Sequence, residues 1–105
     1  MNAIKQLLGF GPKTNYVEIL KQGAIIIDVR STGEYAGGHI NGSLNIPLDT
    51  LNSNLDKLKD KNKGIITCCA SGMRSASAKN ILKSKGYTNV YNGGGWSSLQ
   101  AKLNN

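Results

Sequence analysis

The sequence predicts a small α/β protein, in which a small parallel sheet carries helices on both faces. Two apolar runs rich in β-branched residues, 24–29 and 65–68, suit strands that are buried on both sides. Segments with helical spacing of apolar residues follow each of them. Because strands alternate with helices, and the connections are long enough to cross the sheet, the strands are expected to be parallel. At 105 residues the chain has room for one core.

We predict an N-terminal arm over residues 1–13 and one folded domain over 14–105. The arm contains only a short apolar patch and no small-residue cleavage site, so no signal peptide is predicted. No apolar run approaches the roughly 20 residues that a membrane span needs, so no contact with a membrane is expected.

The first half of the domain predicts a helix followed by two strands. Asn15 is placed to cap the helix, Glu18 to complete a capping box, and Gly23 to end the helix. The first strand is predicted over 24–29 and the second over 43–46. The residues between these strands predict a turn or one short helix, followed by a turn-rich stretch.

The second half predicts further helices around the central strand. Leucines at helical spacing predict an amphipathic helix over about 49–60. The strand over 65–68 leads through a short loop into a helix over about 75–85. A last short strand is predicted over 89–91, and a glycine loop at 93–95 and a closing helix follow it.

The loop after the central strand carries the chemistry that the sequence predicts. In an open parallel sheet, the ligand site lies beyond the carboxyl ends of the strands. A helix start presents unpaired amides to an anion, and small residues let the preceding loop turn its N–H groups inward. A cysteine at the mouth of such a nest ionises early, so Cys69 is predicted to be a catalytic nucleophile that needs no histidine base. The predicted substrate-binding residues are Ala70, Ser71, Gly72, Met73, Arg74 and Ser75.

Two adjacent cysteines compete for the role of nucleophile. Counted from Cys69 the loop is Cys-x-x-x-x-Arg, which suits one compact atom, whereas counted from Cys68 it has the spacing of cysteine phosphatases. Gly72 lies three residues after Cys69, where the phosphatase pattern has its glycine, and Thr67 stands where that pattern has histidine before Cys68. We therefore take Cys69 as the nucleophile. A resolving thiol at Cys68 is the less favoured alternative, because a disulfide between adjacent cysteines is strained.

The composition argues against several classes of protein. The net charge is +7, and lysines at 57, 59, 61 and 63 crowd one predicted helix end. There we favour a solvated face over a surface for anionic substrates or acidic partners. Few aromatic residues argue against nucleic-acid binding. One histidine and no metal-ligand spacing predict no metal. Two adjacent cysteines are no disulfide framework, which favours a cytoplasmic location.

Arg30 and Arg74, in loops at predicted strand ends, and His39 each have a structural and a functional interpretation. For Arg30 we favour an ion pair with Asp28 or Glu34 over a substrate contact. Arg74 either attracts an anion at the loop or bridges outward to a carboxylate. His39 lies in a glycine-rich turn, where we favour a hydrogen bond with the backbone over acid–base catalysis.

These motifs together resemble a rhodanese domain. The matching pieces, in chain order, are Asp28-Val29-Arg30, Glu34-Tyr35, Gly38-His39-Ile40-x-Gly42-Ser43-x-Asn45-Ile46-Pro47, Cys69-Ala70-Ser71-Gly72-Met73-Arg74-Ser75 and Gly94-Gly95-Trp96. The resemblance covers about residues 14–103, as in a stand-alone single-domain rhodanese. It implies a rhodanese-like fold.

The resemblance also implies a sulfurtransferase that uses no cofactor. In such an enzyme Cys69 takes sulfane sulfur from a small anionic donor, thiosulfate or a persulfide, and becomes a persulfide. The amides from Ala70 to Arg74 hold the outer sulfur, and cyanide or a thiol, on a protein or a small molecule, accepts it. The resemblance makes Arg30, Glu34 and His39 mainly structural.

Two alternative hypotheses stay open from the sequence. A non-catalytic sulfur carrier or interaction module needs the same loop, and would accept sulfur only from a specific partner protein. A cysteine phosphatase or arsenate reductase would use the longer loop counted from Cys68. The first alternative predicts no turnover of thiosulfate, and the second predicts that Cys68 is essential.

Overall fold

The computed structural model describes residues 14–104 and confirms the predicted α/β class. Four parallel strands form one sheet in the order β2-β1-β3-β4. Their bounds are Ile25–Asp28 for β1, Leu44–Asn45 for β2, Ile65–Cys69 for β3 and Val90–Gly95 for β4. The predicted arm over residues 1–13 lies outside the described residues, so the division into arm and domain stays a prediction.

Helices cover both faces of the sheet, as predicted. They are α1 (Tyr16–Lys21), α2 (Thr32–Ala36), a 3₁₀ helix (Leu48–Lys57), α3 (Met73–Ser84) and α4 (Trp96–Leu103). The 3₁₀ helix and α3 pack on one face, and α1 and α4 pack on the other. None of the helices within residues 14–104 is long and apolar enough to cross a membrane.

Alternate residues of the central strands enter two separate cores. Ile27 and Ile65 pack with Leu51 of the 3₁₀ helix and Leu82 of α3. Their sequence neighbours Ile26 and Ile66 pack on the opposite face with Leu99 of α4. This alternation follows from the two-residue period of a strand, and it decides where each side chain at the end of β3 lies.

The capping prediction for the first helix is only half right. Asn15 caps α1 by accepting the Glu18 N–H at 3.1 Å, which is the first half of the predicted box. A complete capping box forms instead at α2, where Ser31 and Glu34 bond reciprocally. This box gives the short α2 a defined start in the region where the sequence predicts a turn or one short helix.

The amphipathic helix predicted over about 49–60 is wrong in type and extent. Residues Leu48–Lys57 form a 3₁₀ helix that is interrupted at Asn54 (φ −120°, ψ 19°). Thr50 Oγ1 donates to Pro47 O at 3.1 Å, and Asn54 Nδ2 donates to Thr50 O at 2.8 Å. Such bonds from side chain to backbone compete with regular α-helical hydrogen bonding. Leu51 is nevertheless fully buried, as the leucine pattern requires.

The glycine loop predicted at 93–95 is also wrong, because these residues belong to β4. A Cβ at Gly93 would lie 2.8 Å from Ile66 Cγ2 and 2.9 Å from Thr67 O. A Cβ at Gly95 would lie 2.9 Å from Ala70 O. These glycines therefore allow β4 to approach β3 and the loop after it, at the point where the pairing of the two strands shifts register.

Candidate active site

Cys69 is the last residue of β3 and lies directly before a three-residue connection to α3. The helix begins at Met73, two residues earlier than predicted, so the connection consists of Ala70, Ser71 and Gly72. Gly72 has a φ of 105°, a left-handed conformation that favours glycine. The strand, the tight turn and the helix start therefore meet at Cys69, as the sequence predicts.

The Cys69 sulfur lies among hydrogen-bond donors. The Gly72 N–H donates to Sγ at 2.9 Å, and Ser75 Oγ lies 3.5 Å from Sγ. Burial by itself raises the pKa of the Cys69 thiol, since only 1% of the residue is exposed. Hydrogen bonding with the Ser75 hydroxyl and with the backbone of Ser75, Gly72 and Ser71 outweighs that effect, so the pKa is lowered. A lowered pKa favours the thiolate, which is the nucleophilic form.

Ser75 connects the sulfur to β4. Its hydroxyl is buried and lies 2.6 Å from Asn92 Oδ1 and 3.0 Å from Gly72 O. Asn92 Oδ1 also accepts the Gly94 N–H at 2.9 Å. No motif of the sequence singles out Asn92 as a site residue, although its place directly before three glycines is a usable signal.

Cys68 has a different environment on the opposite face of β3. It is fully buried in the core formed by Ile26, Ile66 and Leu99, and it is paired with Asp28 in the sheet register. Burial, with a smaller contribution from Asp28, raises the pKa of Cys68 to about 12. Both cysteines are free thiols. The alternatives that use Cys68 as a resolving thiol or as a phosphatase nucleophile require it at the loop, where the structure does not place it.

Arg74 forms the outward bridge that was one of its two interpretations. Its Nη1 and Nη2 donate to Glu34 Oε1 and Oε2 at 2.7 and 3.0 Å, and both side chains are more than one-third exposed. The Arg74 hydrogen bond, assisted by the Ser31 N–H, lowers the pKa of Glu34 to about 2. Met73, beside Arg74 at the start of α3, is 81% exposed. The predicted roles of residues 70–75 in substrate binding stay predictions.

The structural interpretations of Arg30 and His39 are confirmed. Arg30 is almost fully buried and donates to both carboxylate oxygens of Asp28, at 2.9 Å from Nε to Oδ1 and 2.7 Å from Nη2 to Oδ2. Its guanidinium also lies 4.7 Å from the centroid of the Trp96 ring. His39 Nδ1 lies 2.7 Å from Tyr35 O, and the His39 ring stacks on the Tyr35 ring.

A pocket of about 550 Å³ opens beside the Cys69 loop at the carboxyl edge of the sheet. Most of the surface that lines it is apolar, and the lining residues include Val29, Thr32, Pro47, Leu48, Asp49 and Arg74. Pockets of this size hold small organic ligands. Among the residues from 14 to 104, no group of three or more His, Cys, Asp or Glu is placed to hold a metal ion.

The lysine cluster lies at the other end of the strands. Lys57, Lys59, Lys61 and Lys63 precede β3, whereas Cys69 ends it. Lys61 Nζ donates to Lys85 O at 2.7 Å, directly after the last residue of α3. A cation there complements the helix C-terminus, which agrees with the structural interpretation of this cluster.

Comparison with known proteins gives consistent matches. A family model described as rhodanese-like domain matches residues 13–102. Thiosulfate sulfurtransferase PspE of Escherichia coli is 40% identical over 70 residues, which are 66% of this chain and 67% of the relative. The tRNA uridine(34) hydroxylase of Erwinia tasmaniensis is 38% identical over 73 residues, 65% of this chain, but only 21% of that relative is covered. A solved structure described as rhodanese with anions from E. coli has a TM-score of 0.67 at 36% identity, over 72% of this chain and 91% of that chain.

Proposed function

This chain belongs to the rhodanese-like domain family, and from that premise we propose that it transfers sulfane sulfur through a Cys69 persulfide. The donor is thiosulfate or a persulfide, and the acceptor is a thiol or cyanide. The observation that carries the proposal is the Gly72 N–H, which donates to Cys69 Sγ at 2.9 Å within a loop closed by a left-handed glycine. A loop that already donates to the sulfur is suited to an anionic sulfur at the same place.

In the first half of the reaction, the Cys69 thiolate attacks the outer sulfur of thiosulfate. A bond forms between Cys69 Sγ and that sulfur, the S–S bond of the donor breaks, and sulfite leaves with its electron pair. The negative charge then lies on the outer sulfur of the persulfide. In this proposal, the amides from Ala70 to Arg74, which span the loop and the start of α3, hold that charge.

In the second half, the acceptor removes the outer sulfur. An acceptor thiolate or cyanide attacks it, the bond to Cys69 breaks, and Cys69 leaves as a thiolate. The acceptor becomes a persulfide or thiocyanate, and the enzyme returns to its starting state. Electrons balance without an oxidant, a reductant or a cofactor, and the covalent intermediate gives ping-pong kinetics.

The pocket beside the loop receives the organic part of a small acceptor thiol or, when the acceptor is a protein, the side chain that carries the thiol. Its apolar lining, with Val29, Pro47 and Leu48, suits the carbon skeleton of such a molecule. Two adjacent cysteines give the chain no disulfide framework, which supports a reducing compartment, so the cytoplasm is the proposed location.

Intact mass after incubation with thiosulfate, without reductant, tests the proposal. One added sulfur, about 32 Da, is expected on the wild type and on Cys68→Ser, and none on Cys69→Ser. Cyanide or a thiol should then remove it. Far-UV circular dichroism of the three proteins controls for folding.

Other outcomes of this test point to the alternatives. Loading of Cys68 instead of Cys69 would overturn the assignment of the nucleophile. Loading from a persulfide donor, but never from thiosulfate, would restrict the donor class. Loading only from a partner protein, without turnover, would favour the sulfur carrier.

A further inference from the structure

The hydrogen-bond geometry fixes the orientation of the Asn92 side chain, which lies on β4 next to the Cys69 loop. Asn92 Oδ1 is the atom 2.9 Å from the Gly94 N–H. Because a backbone N–H can only donate, an amide nitrogen at that position would face another donor, so the oxygen must be there. The same oxygen lies 2.6 Å from Ser75 Oγ and can only accept. The hydroxyl hydrogen of Ser75 therefore points to Asn92.

Ser75 has one hydroxyl hydrogen but several acceptors within reach. Asn92 Oδ1 lies at 2.6 Å, Gly72 O at 3.0 Å and Cys69 Sγ at 3.5 Å. While the hydrogen is directed to Asn92, the Ser75 oxygen presents a lone pair to the sulfur and accepts from a protonated thiol. A thiolate has no hydrogen to donate, so Ser75 stabilises it only by rotating its own hydrogen towards the sulfur. Ser75 is fully buried, so bulk water does not substitute for it.

We infer that Asn92 is a positioning residue that acts through Ser75. Asn92 holds the Ser75 hydrogen while Cys69 is a thiol or carries the persulfide, and it releases that hydrogen to the Cys69 sulfur when the thiolate forms. Only hydrogen bonds change in this step. The inference rests on the proposed role of Cys69, and it adds the point in the cycle at which Ser75 donates. That point is the departure of Cys69 as a thiolate when the acceptor takes the outer sulfur.

The charged groups near this switch are largely paired with one another. On the side of α3, Arg74 is held by Glu34 of α2. At the end of β1, Asp28 is held by Arg30. The other titratable groups on the elements packed around Asn92 and Ser75 include the Cys68 thiol on the opposite face of β3, Asp49 of the 3₁₀ helix, Tyr87 in the core that contains Cys69, Lys79 and Lys83 of α3, Tyr91 of β4, and Tyr16 of α1, whose hydroxyl donates to Asn92 O at 3.1 Å. A change at Asn92 that leaves these groups in place therefore reports on Ser75 and Cys69.

The pH dependence of Cys69 alkylation by iodoacetamide, read by intact mass, tests the inference. Asn92→Ala removes the nearest acceptor that competes with the sulfur for the Ser75 hydrogen and leaves the more distant Gly72 O as the remaining competitor. The midpoint of alkylation should therefore fall by about half to one pH unit, which is roughly three- to tenfold more thiolate below the midpoint. Asn92→Asp keeps the acceptor and adds a negative charge, so the midpoint should rise. In a Ser75→Ala background, Asn92→Ala should have no further effect, because two residues that act through one another are not additive.

Asn45→Ala is the matched control. Asn45 is an asparagine whose side chain is likewise hydrogen-bonded, but away from the sulfur. Its Nδ2 donates to the backbone oxygens of Asp28 and Arg30 at 3.0 Å each. This variant should lose stability without a change in the alkylation midpoint. Should Asn92→Ala fail to fold, Asn92→Asp decides alone, because its upward shift must shrink in the Ser75→Ala background.

Three outcomes would overturn the inference: an unchanged midpoint in Asn92→Ala, shifts of the same sign in Asn92→Ala and Asn92→Asp, or a full Asn92→Ala shift that persists without Ser75. Failure of the proposed function looks different. If wild-type Cys69 is neither alkylated nor loaded with sulfur, the nucleophile itself is wrong, whatever Asn92 does.

Discussion

Cys68 and Cys69 are adjacent in sequence and almost equally buried, with 0% and 1% of each residue exposed, yet their thiols have opposite properties. Cys68 packs among apolar side chains beside Asp28, and its pKa is raised to about 12. Cys69 faces the N–H of Gly72 and the hydroxyl of Ser75, and its pKa is lowered. Burial alone would raise both values. The hydrogen-bonding groups on one face of β3 therefore favour the thiolate form at Cys69 over that at Cys68.

The largest effect is expected when each cysteine is replaced by alanine in turn. Cys69→Ala should abolish thiosulfate:cyanide sulfurtransfer, at least 1,000-fold by order of magnitude, because the covalent step has no substitute. Cys68→Ala should retain the activity and instead lose about 1–2 kcal/mol of unfolding free energy, because it leaves a small cavity in the core. Steady-state kinetics and urea unfolding measure the two effects. Equal losses of activity in the two variants would contradict the comparison.

The sequence predicts Cys69 as the nucleophile, but it does not predict the β4 residues that pack against the Cys69 loop. Cys69 can be predicted because a β-branched strand, small loop residues and a helix start are local sequence signals. The alternation of side chains along a strand then places Cys68 on the other face. The contribution of Asn92 depends on its contact with Ser75 of α3 and on its bond to Gly94 within β4, and no local pattern encodes the contact between the helix and the strand. The inclusion of Gly93 in β4 likewise depends on the close approach to Ile66, against the low strand propensity of glycine.

Gly93→Ala is expected to disturb the surroundings of Cys69 indirectly, by changing how β4 packs against β3. The new Cβ would lie 2.8 to 2.9 Å from Ile66 Cγ2, Leu99 Cδ2 and Thr67 O, so β4 must move away from β3. We expect a loss of roughly 1–3 kcal/mol of unfolding free energy, together with a rise in the alkylation midpoint of Cys69. Thermal unfolding and the iodoacetamide pH profile measure these effects.

Gly33→Ala is the control for that experiment. Gly33 lies in α2, and a Cβ there meets nothing within 4 Å. Alanine should stabilise the helix by about 0.5–1 kcal/mol and leave the pH profile of Cys69 unchanged. If Gly93→Ala behaves like Gly33→Ala, the close approach of β4 does not support the site.

The pH dependence of the free energy of unfolding tests the raised pKa of Cys68. The pKa of Cys68 is raised in the folded protein, so the folded state retains a proton that the unfolded state releases above its own pKa of about 8.5. The stability that this provides is complete below about pH 8.5 and is lost as the pH rises towards about 12, at up to about 1.4 kcal/mol per pH unit. Wild type should therefore lose stability relative to Cys68→Ala between pH 8.5 and 10.5, measured by urea unfolding. Parallel curves for the two proteins would contradict a raised pKa.

The smallest expected effect concerns the outer rim of the reactive side, where Glu34 holds the Arg74 guanidinium. Glu34→Gln keeps a residue that can complete the capping box with Ser31, but it removes the charge that neutralises Arg74. Arg74 is close enough to Cys69 for their charges to interact, so a released guanidinium should attract a dianionic donor. We expect the KM for thiosulfate to fall a few-fold, with a stronger dependence on salt. Cyanide, which carries less charge, serves as the internal control, because its KM should change less. An unchanged thiosulfate KM, with the capping box intact by circular dichroism, would mean that the backbone amides around Cys69 recognise the donor without a contribution from Arg74.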